Sequence, residues 1–278
     1  LTHGPKEIDG AYLKGFLMGD GTLKRDVPHL YLYSEKYSCE ERLTESLMEL
    51  PCEKYGSYEK YDIEFSAPYK TNRVTSTRKV MKGLSPRRKT IIEYMNKSRI
   101  PQEMFAATYY SKLEFLAGLF DSDGTASDTN KGFMYQISSV HKEMLLDLQL
   151  LLKTIDIQST VRTTKASGET DFNDGYGIYE TKELHRLTIS QRGSIAFAKQ
   201  VKFSRLTSFA DRVIAYHLKP KWNVIEKIEF DGQEDVYCCT VEGNHQFSLT
   251  CGLDVGQCSE IPLASREECN LSEIYMQN

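Results

Sequence analysis

The sequence predicts an α+β fold in which one αββαββα unit is used twice, each copy giving an antiparallel sheet, followed by a small all-β segment. Three observations predict it. LKGFLMGDG from Leu13 to Gly21 and LAGLFDSDG from Leu116 to Gly124 are variants of one nine-residue segment, an apolar run closed by an acid and a glycine. After each copy, strand and helix periodicities recur in the same order. From about Val224 the pattern and the charge both change. Glu226 onward holds eleven acidic residues against Lys227 and Arg266, a balance of −9, so a chain of net −4 leaves +5 for residues 1–225.

The elements follow in order. After the first segment, HLYLYS from His29 alternates at strand period, and CEERLTESLMEL from Cys39 spaces Leu43, Leu47 and Leu50 as one helix face. YDIEFS from Tyr61 alternates again. After the second segment, MYQISSV from Met134 reads as a strand and KEMLLDLQLLLKTI from Lys142 as a strongly apolar helix. HRLTIS from His185 is a strand whose Arg186, Thr188 and Ser190 point outward. The expected division is 1–110 for the first repeat with a basic linker, 111–218 for the second, then 219–257 and 258–278. Short strands over WNVIEKIEF and EDVYCCTVEG, followed by NHQFSLTCGLDVGQC, make the third piece all-β.

Composition limits the function classes. No long uncharged apolar run or signal peptide is present, so no membrane partner is expected. Seven cysteines are scattered without the paired CxxC spacing of a zinc site, which fits a reducing cytoplasm and not a disulfide framework. Lys70 to Arg99 holds ten basic residues against the single acid Glu93, a stretch suited to a phosphate backbone or to a solvated connector.

The acids carry the chemistry. Asp20 and Asp123 are expected at the C-terminal ends of two helices, where unpaired carbonyls and the negative dipole end attract cations. Gly15 and Gly19, and Gly118 and Ser122, are small residues at i and i+4 that let two helix backbones meet and bring the carboxylates together. Two carboxylates at such a point suit a divalent cation and phosphodiester chemistry. An EF-hand starting at Asp121 is excluded, because its sixth and twelfth positions hold Ala126 and Gly132. Either acid alone could be a helix-ending turn residue; both at matching positions argue for a shared site.

The second segment resembles the LAGLIDADG homing endonuclease signature, and the first is similar with Lys14 for alanine and Met18 for the first aspartate. The two-copy resemblance covers roughly residues 9 to 215. It implies a monomer that cuts a long, specific site in double-stranded DNA, with the two sheets forming a saddle over the duplex. It further implies Mg²⁺ or Mn²⁺ held by Asp20 and Asp123 with the carbonyls of Gly19 and Ser122. Lys97, or its neighbour Arg99, would support the transition state from NKSRIP, and Lys202, or Arg205, from VKFSRL. Arg162, Thr164, Arg186, Thr188 and Ser190 would face DNA.

The acidic end resembles the C-terminal splicing blocks of an intein, of the Hint type, through VYCCTVEGNHQF. On that resemblance Cys238 stands where the family has aspartate or cysteine. His245 assists cyclisation of the last intein residue, Gln257, and Cys258 is the accepting nucleophile. The family usually ends in His-Asn, where this chain has Gly256-Gln257. Its first splicing block does not precede Leu1, so an N-terminal intein fragment acting in trans, or a truncated chain, is expected. CSEIPLASREECNLSEIYMQN resembles the active-site segment of a ribonucleotide reductase large subunit, the implied host. The alternatives are a splicing element whose endonuclease has decayed into a DNA-binding or structural insert, and a DNA-binding regulator on the same fold.

Overall fold

The computed structural model describes residues 3–52, 64–71, 74–129, 132–171, 177–190, 192–217, 246–248 and 254–256. It divides into two units, 1–219 and 220–278.

The first unit is organised around two helices, α1 (Ala11–Asp20) and α5 (Tyr109–Asp123). Neither has the polar stripe of a surface helix: Ala11 to Gly19 are all buried, as is Phe115 to Ser122. Helices apolar on every side belong inside. They pack on each other at glycine. A Cβ on Gly15 would lie 2.0 Å from the Phe115 carbonyl oxygen, and one on Gly118 would lie 1.9 Å from that of Tyr12. The expected close approach of two backbones is therefore present. Thr108 starts α5 by accepting a hydrogen bond from the Ser111 amide at 3.3 Å.

Between the helices run β1 (Thr22–Lys24), β2 (Val27–His29), β3 (Tyr31–Tyr33), α2 (Glu40–Met48), β4 (Tyr69–Thr71), β5 (Val74–Val80), and two short helices, α3 (Arg88–Ile91) and α4 (Gln102–Phe105). After α5 come β6 (Thr125–Thr129), β7 (Gly132–Ser139), α6 (Lys142–Lys153), β8 (Thr160–Lys165), β9 (Gly168–Asp171), β10 (Ile178–Thr181), β11 (Leu184–Ser190), α7 (Arg192–Gln200) and α8 (Thr207–His217). The sheets reveal the duplication: β3-β5-β4 in the first half has the same connection order as β7-β11-β8 in the second. All these pairs are antiparallel, and β6 adds a fourth strand beside β7.

Two local readings change. HLYLYS is not one strand. Arg25 and Asp26, both at positive φ, close a two-residue hairpin that pairs Lys24 with Val27 and uses His29 in β2. Leu30 is fully buried, with its carbonyl accepting from the Met81 amide, and the chain then joins the larger sheet as β3. Of YDIEFS, residues 61–63 lie outside the described residues. Phe65 bridges Met81 and continues the sheet edge. The β9–β10 hairpin has no counterpart in the sequence reading.

The helical faces behave as read. Leu43, Leu47 and Leu50 are buried, as are Leu145, Leu148, Leu151 and Leu152 of α6. In β11, His185, Leu187 and Ile189 are buried, while Arg186, Thr188 and Ser190 are not. Lys14, where the repeat in α5 has alanine, is buried against the Tyr94 ring and 3.5 Å from Glu103. Glu103 also pairs with Lys6 at 2.7 Å and accepts from the Tyr94 hydroxyl at 2.6 Å. Burial alone would raise the Glu103 carboxyl, but the Lys6 and Tyr94 bonds and the Lys14 charge hold it at about 2.

In the second unit the described residues are one antiparallel pair, β12 (Gln246–Ser248) with β13 (Asp254–Gly256). Cys238, His245, Gln257 and Cys258 lie outside the described residues.

Candidate functional site

Both glycine-paired helices end alike. The Gly21 amide bonds the Leu17 carbonyl at 2.8 Å, and the Gly124 amide bonds that of Phe120 at 3.0 Å. Both glycines leave in an extended conformation, with ψ 143 at each. A Cβ at either would lie within 2.4 Å of that carbonyl oxygen, so the exit needs the missing side chain and not a positive φ. Asp20 and Asp123 are thereby left as the last helical residues.

The helix contact continues to this end. A Cβ on Gly19 would meet the Ser122 hydroxyl at 2.0 Å and the Asp123 carboxyl carbon at 3.1 Å. The Asp123 carboxylate thus sits against the residue preceding Asp20. Loss of hydration raises the Asp123 carboxyl above the usual aspartate range, and the charge of Asp20 raises it further. Carboxylates at helix C-termini are themselves unfavourable, since the dipole end there is negative. Cations gather in response. Lys36 pairs with Asp20 at 2.7 Å, Lys97 donates to the Gly19 carbonyl, and Lys97, Lys36 and Arg205 all act to lower the Asp123 carboxyl.

The two ends are not equivalent. At α1 the cations are two lysines. At α5 Arg205 spreads its guanidinium over three carbonyls, those of Asp121 at 2.6 Å, Phe120 at 2.8 Å and Gly124 at 2.5 Å. Its backbone is fixed as well. Asp121, fully buried, accepts from the Ser204, Arg205 and Leu206 amides and from the Tyr12 hydroxyl. The first acid of DSDG is therefore a clamp that seats the loop before α8.

Of the expected site residues, the structure brings together Asp20, Asp123, Gly19, Ser122 and Lys97. Lys202 has an exposed side chain, its carbonyl accepts from Arg42, and among the described residues no hydrogen bond or ion pair ties it to this group. The Asp121 clamp turns Arg205 inward, and Lys202, two residues before Ser204, stays outside. Arg99 is engaged elsewhere, holding Asp147 of α6 through two hydrogen bonds of 2.6 and 2.8 Å. Lys36 was missed. It follows β3 in a 3₁₀ turn (Ser34–Cys39), and neither spacing nor motif marks it.

Among the described residues there is no group of three or more His, Cys, Asp or Glu that could hold a metal. The pair does fit a hard cation. Mg²⁺ is commonly held by one or two carboxylates with water and phosphate oxygens completing the shell, and a like-charge pair is the electrostatic setting it relieves.

The residues expected to face DNA lie on one face of the four-stranded sheet. Arg186 is opposite Ser138 on one side and Arg162 on the other, and Thr188 is opposite Gln136 and Thr160. Ser190 and Thr164 are exposed, with Thr164 bonding the Leu184 carbonyl at a register shift.

Comparison with known proteins gives one family: residues 111–202 match the LAGLIDADG-like domain. The chain is 27% identical over 291 residues to the ribonucleoside-diphosphate reductase NrdEB subunit alpha of Bacillus subtilis, covering 94% of this chain and 26% of that protein. It therefore spans about a quarter of the length of that relative. Among solved structures, full-length DUF199/WhiA from Thermatoga maritima aligns with a TM-score of 0.47 at 17% identity, covering 81% of this chain and 65% of that one. The homing endonuclease I-DmoI, in complex with DNA and Mn, aligns with a TM-score of 0.42 at 16% identity, covering 69% and 94%.

Proposed function

We propose that this chain is a site-specific DNA endonuclease that makes double-strand breaks by phosphodiester hydrolysis with Mg²⁺ or Mn²⁺. One observation carries the reading: two carboxylates, over a hundred residues apart in sequence, end two helices whose glycines force them together. The match of residues 111–202 to a LAGLIDADG-like domain supports it.

Asp20 and Asp123 would hold the metal. When bound, a divalent cation there stabilises charge on the scissile phosphate and on an attacking water. The chain does the rest. Lys97 and Lys36 are flexible point charges beside the α1 carboxylate, able to exchange a protein oxygen for a phosphate oxygen. Arg162, Thr164, Arg186, Thr188 and Ser190 present donors where an antiparallel sheet can enter the major groove.

The same proposal places the nuclease inside an intein in a reductase large subunit, joined to its partner half in trans. Cys238, His245, Gln257 and Cys258 would carry the junction chemistry. A relative named as a reductase subunit that aligns with 94% of this chain, LAGLIDADG-like region included, supports an embedded origin.

The test uses Asp20→Asn and Asp123→Asn on DNA carrying the uninterrupted host gene. Each should abolish double-strand cleavage in Mg²⁺ while leaving duplex binding within a few-fold of wild type. Full cleavage by either variant refutes the site. A second reading, binding without cutting, is favoured by Arg205, whose guanidinium is consumed by carbonyls. Wild-type binding with no cleavage in Mg²⁺ or Mn²⁺ would select it. Mass spectrometry after mixing with an N-terminal intein half tests the splicing role, through release or ligation of the segment beginning at Cys258.

A further inference from the structure

The first sheet carries an arginine held more tightly than a solvated surface cation needs to be. β5 is its central strand, and Arg78 lies directly between Tyr33 of β3 and Tyr69 of β4. Directly opposed residues share a face, and Leu32, on the alternate face, is fully buried. Tyr31, Tyr33, Arg78 and Tyr69 therefore share the open face. The guanidinium sits 4.3 Å from the Tyr31 ring centre and 5.1 Å from that of Tyr69, and its Nε donates to the Tyr69 hydroxyl at 3.0 Å. Lys24 closes the other edge, bonding the Tyr31 hydroxyl at 2.6 Å.

The second sheet repeats the device. Arg186 stands on β11, a central strand there, and its Nε donates to the Ser138 hydroxyl of β7 at 3.1 Å. In both halves a hydroxyl on a neighbouring strand takes the Nε edge and fixes the plane of the guanidinium. Among the described residues neither arginine pairs with a carboxylate. A phosphate contact needs only a charge, and a mobile lysine provides it. A stacked, edge-pinned guanidinium has already lost its rotamer freedom, and its terminal amino groups match the O6 and N7 acceptors that guanine alone shows in the major groove.

We infer that Arg78 is a specificity-determining residue that reads a guanine in the half of the target lying on the first sheet, with Arg186 its counterpart on the second. The inference rests on the DNA-targeting reading above and names what one position of that target is.

The test is selection from a randomised duplex library without divalent metal, for the wild type, Arg78→Ala, Arg78→Lys and Tyr69→Phe, with each variant's folding checked by thermal unfolding. The wild type should require a G·C pair at one position of one half-site. Arg78→Ala should lose that preference by roughly ten- to a hundred-fold while keeping all others. Tyr69→Phe, which removes only the hydroxyl on Nε, should lose part of it. Arg78→Lys should keep overall affinity and lose discrimination. A loss spread evenly over all sequences, with a salt slope reduced by about one, marks a phosphate contact and overturns the inference. Unchanged preference in Arg78→Ala overturns it too, and leaves the nuclease reading intact. A wild type with no sequence preference sinks both.

Discussion

Asp20 and Asp123 occupy matching places in their repeats but not matching states. Asp20 shares an oxygen with Lys36, whereas Asp123 has no ion pair among the described residues, and lost hydration and its neighbour's charge raise its carboxyl. An acid whose pKa is raised on folding binds its proton more tightly in the native state. Stability therefore falls as pH rises from the ordinary value of 3.8 through the raised one, and the penalty persists at neutral pH. Asn mimics the protonated acid without the charge. Asp123→Asn should accordingly unfold at a higher temperature than wild type at pH 7 in chelator, and the gap should close as the pH approaches 3.8. Mg²⁺ should raise the wild-type midpoint and leave that of Asp123→Asn nearly unchanged, since a ligand stabilises only the state that binds it. Thermal unfolding with and without Mg²⁺ at both pH values checks this. Equal midpoints throughout would mean the two carboxylates do not share a field. Such a trade of stability for a charged site is the usual cost of function.

At the scale of elements, the contact of α1 with α5 is held by missing side chains. The Gly118 methyl position falls 1.9 Å from the Tyr12 carbonyl oxygen, which belongs to a helix backbone and has nowhere to move. Gly118→Ala must push the helices apart, opening the core around Phe16 and Phe115, both fully buried. Overpacking of this kind costs about 3 kcal/mol or more. Urea unfolding should show the loss as a lower midpoint, and cleavage should fall with it because the carboxylates separate. This contact was legible in the sequence, because small residues at i and i+4 in two copies of one segment leave few other ways to pack. The alternation of β7 and β11 and the leucine faces of α2 and α6 were equally legible, each being a periodicity that one buried face imposes. What stayed hidden depends on tertiary context. Leu30 splits a run that alternates well, because a tight hairpin at Arg25-Asp26 takes its first residue. The tyrosine cage of Arg78 arises from strand register and the Lys36 pair from the turn that follows β3, neither of which a local pattern records.

At the largest scale, the first unit is a duplication whose halves have diverged at their working ends. Around α1 the positive charge sits on two lysines, each holding a single oxygen in the protein. Around α5 it sits on one arginine whose guanidinium holds three carbonyls while Asp121 pins its backbone. A lysine can leave one oxygen for another at modest cost, whereas Arg205 would have to abandon three hydrogen bonds at a helix end. Charge-assisted bonds of that kind are worth about 1.5–3 kcal/mol each, so Arg205 stays where it is when DNA arrives. If each helix end serves one strand of the duplex, the strands are cut at unequal rates. The wild type should then pass supercoiled plasmid through a nicked circle that accumulates before the linear form. Lys97→Met should remove the faster cut and leave slow nicking of one strand. Arg205→Ala should instead lower thermal stability, because the end of α5 loses its cap. End-labelled duplexes identify which strand is cut in each variant. Simultaneous loss of both cuts in Lys97→Met, at unchanged binding, would show the ends acting as one centre and would refute the division of labour.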